Sequence, residues 1–164
     1  MTRSLQETVD PEGVCFGCGL SNAHGLHLQS YPHDDGVHVI ATMTPEDWHC
    51  GWPGLVYGGY LAMVVDCHSN WTAMYAHYLA EGRSPGSLPR ITCATGQLTL
   101  RYHKPTPLGE PLTLRARVEG KVAKATRIFC DVLAGGIVTV SADSVFFRVN
   151  PDLLAVQAQK RESA

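Results

Sequence analysis

The sequence is short of charge and has no long apolar run. Asp, Glu, Lys and Arg make up 17 % of its 164 residues, and thirteen basic against fifteen acidic side chains leave a formal net charge of −2. A protein whose main partner is nucleic acid carries a strong basic excess, so the composition argues against that class. A small anionic ligand held by a local basic patch stays open. No stretch reaches the roughly 18 uninterrupted apolar residues of a membrane span. The opening residues, MTRSLQETVDPEG, lack the apolar core of a secretory signal, and the expected location is the cytoplasm. Internal repeats and low-complexity tracts are also missing. What the chain does have is 45 % apolar residues, enough for the core of one domain, and six cysteines. Without a secretion signal those cysteines read as reduced thiols rather than a disulfide frame.

Residues 1–14 read as a flexible segment and residues 152–164 as a polar tail, which leaves one folded domain over 15–151. Two short alternating runs come first: Leu26, Leu28 and Ser30, then Val37, Val39 and Ala41, around a polar turn at 32–36. That is a hairpin pattern. A helical turn is expected at Thr44-Pro45-Glu46-Asp47, where a capping Thr is followed by Pro and acids.

Residues 58–80 form the one long helix candidate. Leu61, Val64, Val65, His68, Trp71, Thr72, Tyr75, Tyr78 and Leu79 follow the i, i+3, i+4 spacing of one stripe, and Asp66 is the only charged residue of the segment when His is counted neutral. A helix with so little charge is buried on most sides. After the loop at 82–90, everything reads as strand, with the alternation changing phase at Gly96, where a β-bulge is predicted. The order is two short strands, one buried helix and four longer strands in an antiparallel sheet that curls around the helix. One helix cannot cover such a sheet, so a second subunit is expected to complete the core.

The informative stretch is HCGWPGLVYGGYLAMVVDCHSN, His49 to Asn70. A Gly- and Pro-rich loop enters the helix through Gly58-Gly59, where a ligand can approach the helix's first backbone N–H groups and its partial positive charge. Such an end suits a phosphate or the oxyanion of an attacked carbonyl; tight helix packing would also explain the glycines. Asp66 is costly to bury unless it is paired or used, and desolvation would suit it to general-base or nucleophilic work. It lies seven residues past Gly59, roughly 10 Å along the axis, too far for both to reach one reacting centre. Two antiparallel helices across a two-fold axis would bring Gly59 of one chain to Asp66 of the other.

These residues resemble the hotdog-fold acyl-CoA thioesterases of the PaaI-like superfamily. Tyr57-Gly58-Gly59 and Asp66 keep the spacing of a motif in which His-Gly-Gly opens the hotdog helix and an acid follows nine positions after the His. The opening CFGCGLSNAHGLHL and the later LTLRYHKPTPLGEPLTLRARV are also similar. The resemblance implies an α+β hotdog fold, antiparallel sheet around one central helix, in a homodimer or a homotetramer. It implies hydrolysis of an acyl-CoA thioester to free acid and CoA without metal or organic cofactor. By the same resemblance Asp66 attacks or activates water, the Gly59 N–H stabilises the oxyanion, and Asn70 assists. His49 lies near the pocket, with Gly58 and Tyr57 at the helix start. Tyr57 stands where the family carries His, which also admits a non-catalytic acyl-CoA or acyl-carrier binding protein. A hotdog dehydratase or hydratase would need a His and Asp pair in another motif, which this sequence lacks.

The acyl chain is expected in an apolar slot lined by Trp52, Leu55, Tyr57 and Met63. Arg101, His103 and Lys104, with Lys121, Lys124 and Arg127 on neighbouring hairpin ends, are candidates for the CoA phosphates or ordinary solvated charges. Cys15-x2-Cys18-x5-His24-x2-His27 has the donor types for tetrahedral zinc, though the second half falls on an expected strand. A Cys–His nucleophile from Cys67-His68 or His49-Cys50 is disfavoured because adjacent helix residues point apart.

Overall fold

The computed structural model describes residues 3–150. Its elements are α1 (Leu5–Val9), β1 (Tyr31–Pro32), β2 (Val39–Met43), a 3-10 turn (Asp47–His49), β3 (Cys50–Trp52), β4 (Leu55–Val56), α2 (Gly58–Ala80), β5 (Thr92–Tyr102), β6 (Leu112–Val118), β7 (Ala125–Ala134) and β8 (Ile137–Val149). Six strands make one antiparallel sheet in the order β1-β2-β6-β7-β8-β5, and β3 pairs with β4 alone.

Period-2 alternation puts one row of each strand against α2. Leu112, Leu114 and Ala116 of β6, Ile128, Cys130 and Val132 of β7, and Val140, Ala142 and Phe146 of β8 are all fully buried, facing Leu61, Val64, Val65 and Tyr78 of the helix. Each buried Leu, Ile, Val or Phe side chain among them contributes about 2 kcal/mol relative to exposure. The helix bounds match the sequence expectation residue for residue. Its end follows from Gly82, whose positive φ of 64° lets the Gly82 N–H reach Leu79 O at 2.9 Å and the Arg83 N–H reach Tyr78 O at 2.9 Å. Leu79, placed on the buried stripe by periodicity, lies in this last turn and is half exposed.

The phase change at Gly96 is a β-bulge: the β5–β8 register shifts between Thr95 and Gln97. A Cβ on Gly96 would stand 2.1 Å from the Phe147 ring, which lies over the glycine. The turn between β7 and β8 is Gly135-Gly136, both at positive φ.

Three expectations are corrected. Residues 4–9 belong to the folded body: Ser4 caps α1 in a reciprocal capping box with Glu7, and Leu5, Gln6 and Val9 are buried. Polar composition hid an amphipathic turn of helix. The first hairpin pairs only Tyr31–Pro32 with Val39–Ile40. Leu26 and Leu28 instead hydrogen-bond Phe16 O and Gly17 O, because the N-terminal loop competes for their backbone. The helical turn starts at Asp47 rather than Thr44, with Glu46 at its cap. The proposed tail at 152–164 lies outside the described residues.

His68 ties three of these elements together. Its Nε2–H donates to Val39 O at 3.0 Å, and its Nδ1 accepts from Ser30 Oγ at 2.8 Å; the Ser30 N–H in turn reaches Gln6 Oε1 at 2.9 Å. Burial holds the imidazole down to about 4, so the ring is neutral.

Candidate active site

The N-terminus of α2 carries no side-chain cap. Tyr57 occupies the cap position in extended backbone and makes no side-chain cap bond, so the helix's first N–H groups keep their free hydrogen-bonding capacity. The approach is fixed by backbone: Tyr57 N–H donates to His49 O at 2.8 Å, Val56 N–H to Thr106 O at 2.9 Å, and Tyr102 Oη–H to Gly58 O at 2.8 Å. Gly59 is exposed, and a Cβ there would come within 2.5 Å of the Tyr57 ring, which folds back over the helix start. Burial and the nearby Tyr57 hydroxyl both raise the Tyr102 pKa.

Two turns further on, Asp66 is half-buried. Its Oδ1 accepts from Thr95 Oγ1 at 2.7 Å. Burial pushes the carboxyl pKa up, the Thr95 hydroxyl opposes this, and the Cys15 side chain adds to the rise. One turn on, Asn70 Nδ2 donates to Cys93 O at 3.2 Å, while Asn70 Oδ1 is buried with no hydrogen-bond partner. Both side chains lean on the part of β5 that precedes the bulge. Asp66 and Asn70 therefore share one face of α2, and Gly59 stands at the head of the same helix, as the sequence spacing demands.

His49 packs beside this start. Its ring stacks on Tyr60 with centroids 4.2 Å apart, and Nδ1 accepts from Glu46 N–H at 2.9 Å. Together with Phe16, His24, His27, Met43 and Trp48 it lines a cleft of about 750 Å³. Trp52 projects from β3 and is three-quarters exposed.

The basic residues do not form one patch within a chain. Arg101 lies opposite Ser141 on β5, in the alternate row to Leu100 and Tyr102, so it faces away from the helix into a groove with Phe129 and Asp143. Lys104, exposed just past β5, lies at the end where Tyr102 meets Gly58. Lys121 and Lys124 are at the opposite end of the sheet: Tyr102 pairs with Val140 but Ala125 with Phe147, seven residues of β8 apart, roughly 23 Å. Arg127 is held by both oxygens of Asp143. The expectation that Lys121 and Lys124 neighbour Arg101 is corrected, because local sequence gives strand ends but not which ends lie together; Arg127 instead bonds Asp143, which lines the Arg101 groove.

The structure also assembles a cluster that sequence reasoning missed. The Sγ atoms of Cys15, Cys18 and Cys67 lie within 4.8 Å of one another, with Cys15 Sγ and Cys67 Sγ 3.8 Å apart. His24 and His27, proposed as partners of Cys15 and Cys18, line the cleft instead, and the His27 ring bonds Asn22 O at 2.6 Å. Contact with the Cys67 thiol holds the Cys15 thiol down at about 5 against partial desolvation of this exposed residue; Cys67 is pushed up. No spacing rule links residue 67 to residues 15 and 18, so only the fold could reveal the group.

An antiparallel sheet packed around one long central helix defines a hotdog protein. Solved structures place it more narrowly. A thioesterase superfamily protein from Shewanella loihica PV-4 is 26 % identical, covering 79 % of this chain and 97 % of its own, with a TM-score of 0.60. A second thioesterase superfamily protein is 29 % identical over 85 % of this chain and 68 % of its own, with a TM-score of 0.62. A protein of Streptococcus mutans UA159 bound to acetyl CoA is 18 % identical over 75 % of this chain and 87 % of its own, TM-score 0.58, and shares the fold alone. No family model and no curated protein sequence matches the chain. The chain has the hotdog fold of the thioesterase superfamily.

Proposed function

We propose that this protein hydrolyses an acyl-CoA thioester to a free acid and CoA, with Asp66 as general base or nucleophile and the Gly59 backbone N–H as oxyanion donor. The observation that carries this reading is Asp66: the one acid of a 23-residue helix, half-buried and pinned by Thr95 on a face that also bears a buried, unpartnered Asn70 oxygen. An unpaired buried acceptor is costly and invites a donor such as water or substrate. Asp66 and Gly59 are too far apart along one helix to meet at one carbonyl, so the reading requires a homodimer with antiparallel α2 helices, whether or not two dimers associate further. The carboxylate then attacks the carbonyl or takes a proton from water, while the helix N-terminus stabilises the developing oxyanion. The solved neighbours named as thioesterases, and one with acetyl CoA bound, support this class of substrate.

Arg101 and Lys104 are proposed to meet the phosphates, Lys104 from the same end as the helix start. His49 and Trp52 are proposed to border the acyl or pantetheine path. The test is thiol release across short, aromatic and long acyl-CoAs, with light scattering for the oligomer. Turnover by the dimer and none by Asp66→Ala is the expected result; a monomer that turns over acyl-CoA would sink the composite site.

One observation favours a second reading. The Tyr57 ring covers Gly59, where a thioester carbonyl would have to approach. A non-catalytic acyl-CoA or acyl-carrier binding protein would show saturable binding without thiol release.

A further inference from the structure

We infer that Cys15, Cys18 and Cys67 form a binding site for one soft divalent cation of the zinc class, joining the N-terminal loop to α2. The geometry is that of a tetrahedral thiolate edge. With metal–sulfur bonds near 2.3 Å, two thiolates of a tetrahedral centre lie about 3.8 Å apart. Cys15 Sγ and Cys67 Sγ are 3.8 Å apart, and Cys18 Sγ completes the triangle within 4.8 Å.

The loop is preorganised. Gly19 N–H closes onto Cys15 O at 2.7 Å, making Cys15-Phe16-Gly17-Cys18 a tight turn, and Leu26 and Leu28 N–H groups hold its far side at 2.8 and 3.1 Å. A Cβ on Gly19 would stand 2.4 Å from Cys15 N, so the turn tolerates no side chain there; one on Gly17 would strike Cys67 Sγ at 2.4 Å. Two glycines thus let a two-cysteine turn press against a helix thiol. One sulfur also has a donor of the kind that stabilises metal-bound thiolates: Trp71 Nε1–H at Cys18 Sγ, 3.2 Å away.

Core packing of thiols does not account for the arrangement. Cys18 and Cys67 are buried, but Cys15 is exposed, so the cluster reaches the surface at one corner. Three protein ligands leave a fourth position for water or another small ligand. Binding would displace protons from the thiols and strengthen at higher pH. Cys67 adjoins Asp66 and the Cys15 side chain acts on it, but metal loading is read without thiol release, so the two proposals fail separately.

The test uses the full chain, reduced with a phosphine, stripped with a chelator and titrated with cobalt(II) and zinc(II). One cobalt per chain with a thiolate-to-metal charge-transfer band is expected, together with a zinc-dependent rise in melting temperature. Cys15→Ser, at the exposed corner, should weaken zinc binding by more than about 100-fold, since even outer-shell changes cost 10–100-fold. Cys18→Ser should do the same, while Cys50→Ser, outside the cluster, should bind as the parent does. Circular dichroism of each metal-free variant checks the fold. Absence of the charge-transfer band in the reduced parent would overturn the site, as would a band that survives in folded Cys15→Ser.

Discussion

Thr95 Oγ1 donates to Asp66 Oδ1 across 2.7 Å, and Thr95 is the last residue of β5 before the bulge at Gly96. A strand irregularity thereby fixes the orientation of the helix carboxylate. Thr95 acts through Asp66, so it is a positioning residue. Thr95→Val should lower kcat by about tenfold, roughly 1.4 kcal/mol, with KM little changed. Thr95→Ser, which keeps the hydroxyl, should recover most of the rate. Equal loss in both variants would mean that strand packing rather than the hydrogen bond is responsible.

Asp66→Asn keeps shape and can still accept from Thr95, but it removes the charge. Thiol release should fall to the background rate. Thermal stability should hold or rise, because a partly desolvated carboxylate is unfavourable when its partner is a neutral hydroxyl. Steady-state assays paired with thermal melts measure both. Retained turnover would rule out the carboxylate mechanism.

His68 makes stability depend on pH. Its folded pKa is held near 4 by burial, while in the unfolded chain it returns to the ordinary value of about 6.5. The unfolded state therefore binds a proton first as pH falls. Stability contributed by the neutral ring is complete above about 6.5 and is lost between there and 4, up to about 3 kcal/mol. His77, also lowered chiefly by burial, acts in the same direction. Denaturant midpoints across that window should decline in the parent and flatten in His68→Gln. The variant should itself cost roughly 1–3 kcal/mol, since Ser30 and Val39 O lose well-aligned partners.

Gly96 is required by contact rather than by φ. A valine there would meet the Phe147 ring, and Gly96→Val should destabilise by about 1–3 kcal/mol through overpacking. Adding Phe147→Ala should return part of that loss, a non-additivity visible in chemical denaturation of the double mutant. Strict additivity would show that the ring is not the obstacle.

Much of the chain was legible because its signals are local. The bounds of α2 and the bulge at Gly96 each follow from the periodicity of apolar residues. The Asp66–Asn70 face was equally readable, because both residues lie on one helix whose geometry is known in advance. The failures share a cause. Residues 4–9 were misjudged because one buried turn of helix carries too few residues for periodicity to register, and the 26–30 segment was misjudged because its backbone partner is a distant loop.

The amino-acid order alone determined the helix, the alternation of the long strands and the spacing of Gly59, Asp66 and Asn70, since each depends on neighbours within a few residues. Which strand ends share a side of the sheet, that Thr95 reaches Asp66, that Arg101 faces away from the helix, and that Cys67 joins Cys15 and Cys18 were decided only by the tertiary structure. Those relations depend on how separate segments are brought together by burial of a common apolar face. That force is non-directional, and it leaves no local mark on the residues it happens to place side by side.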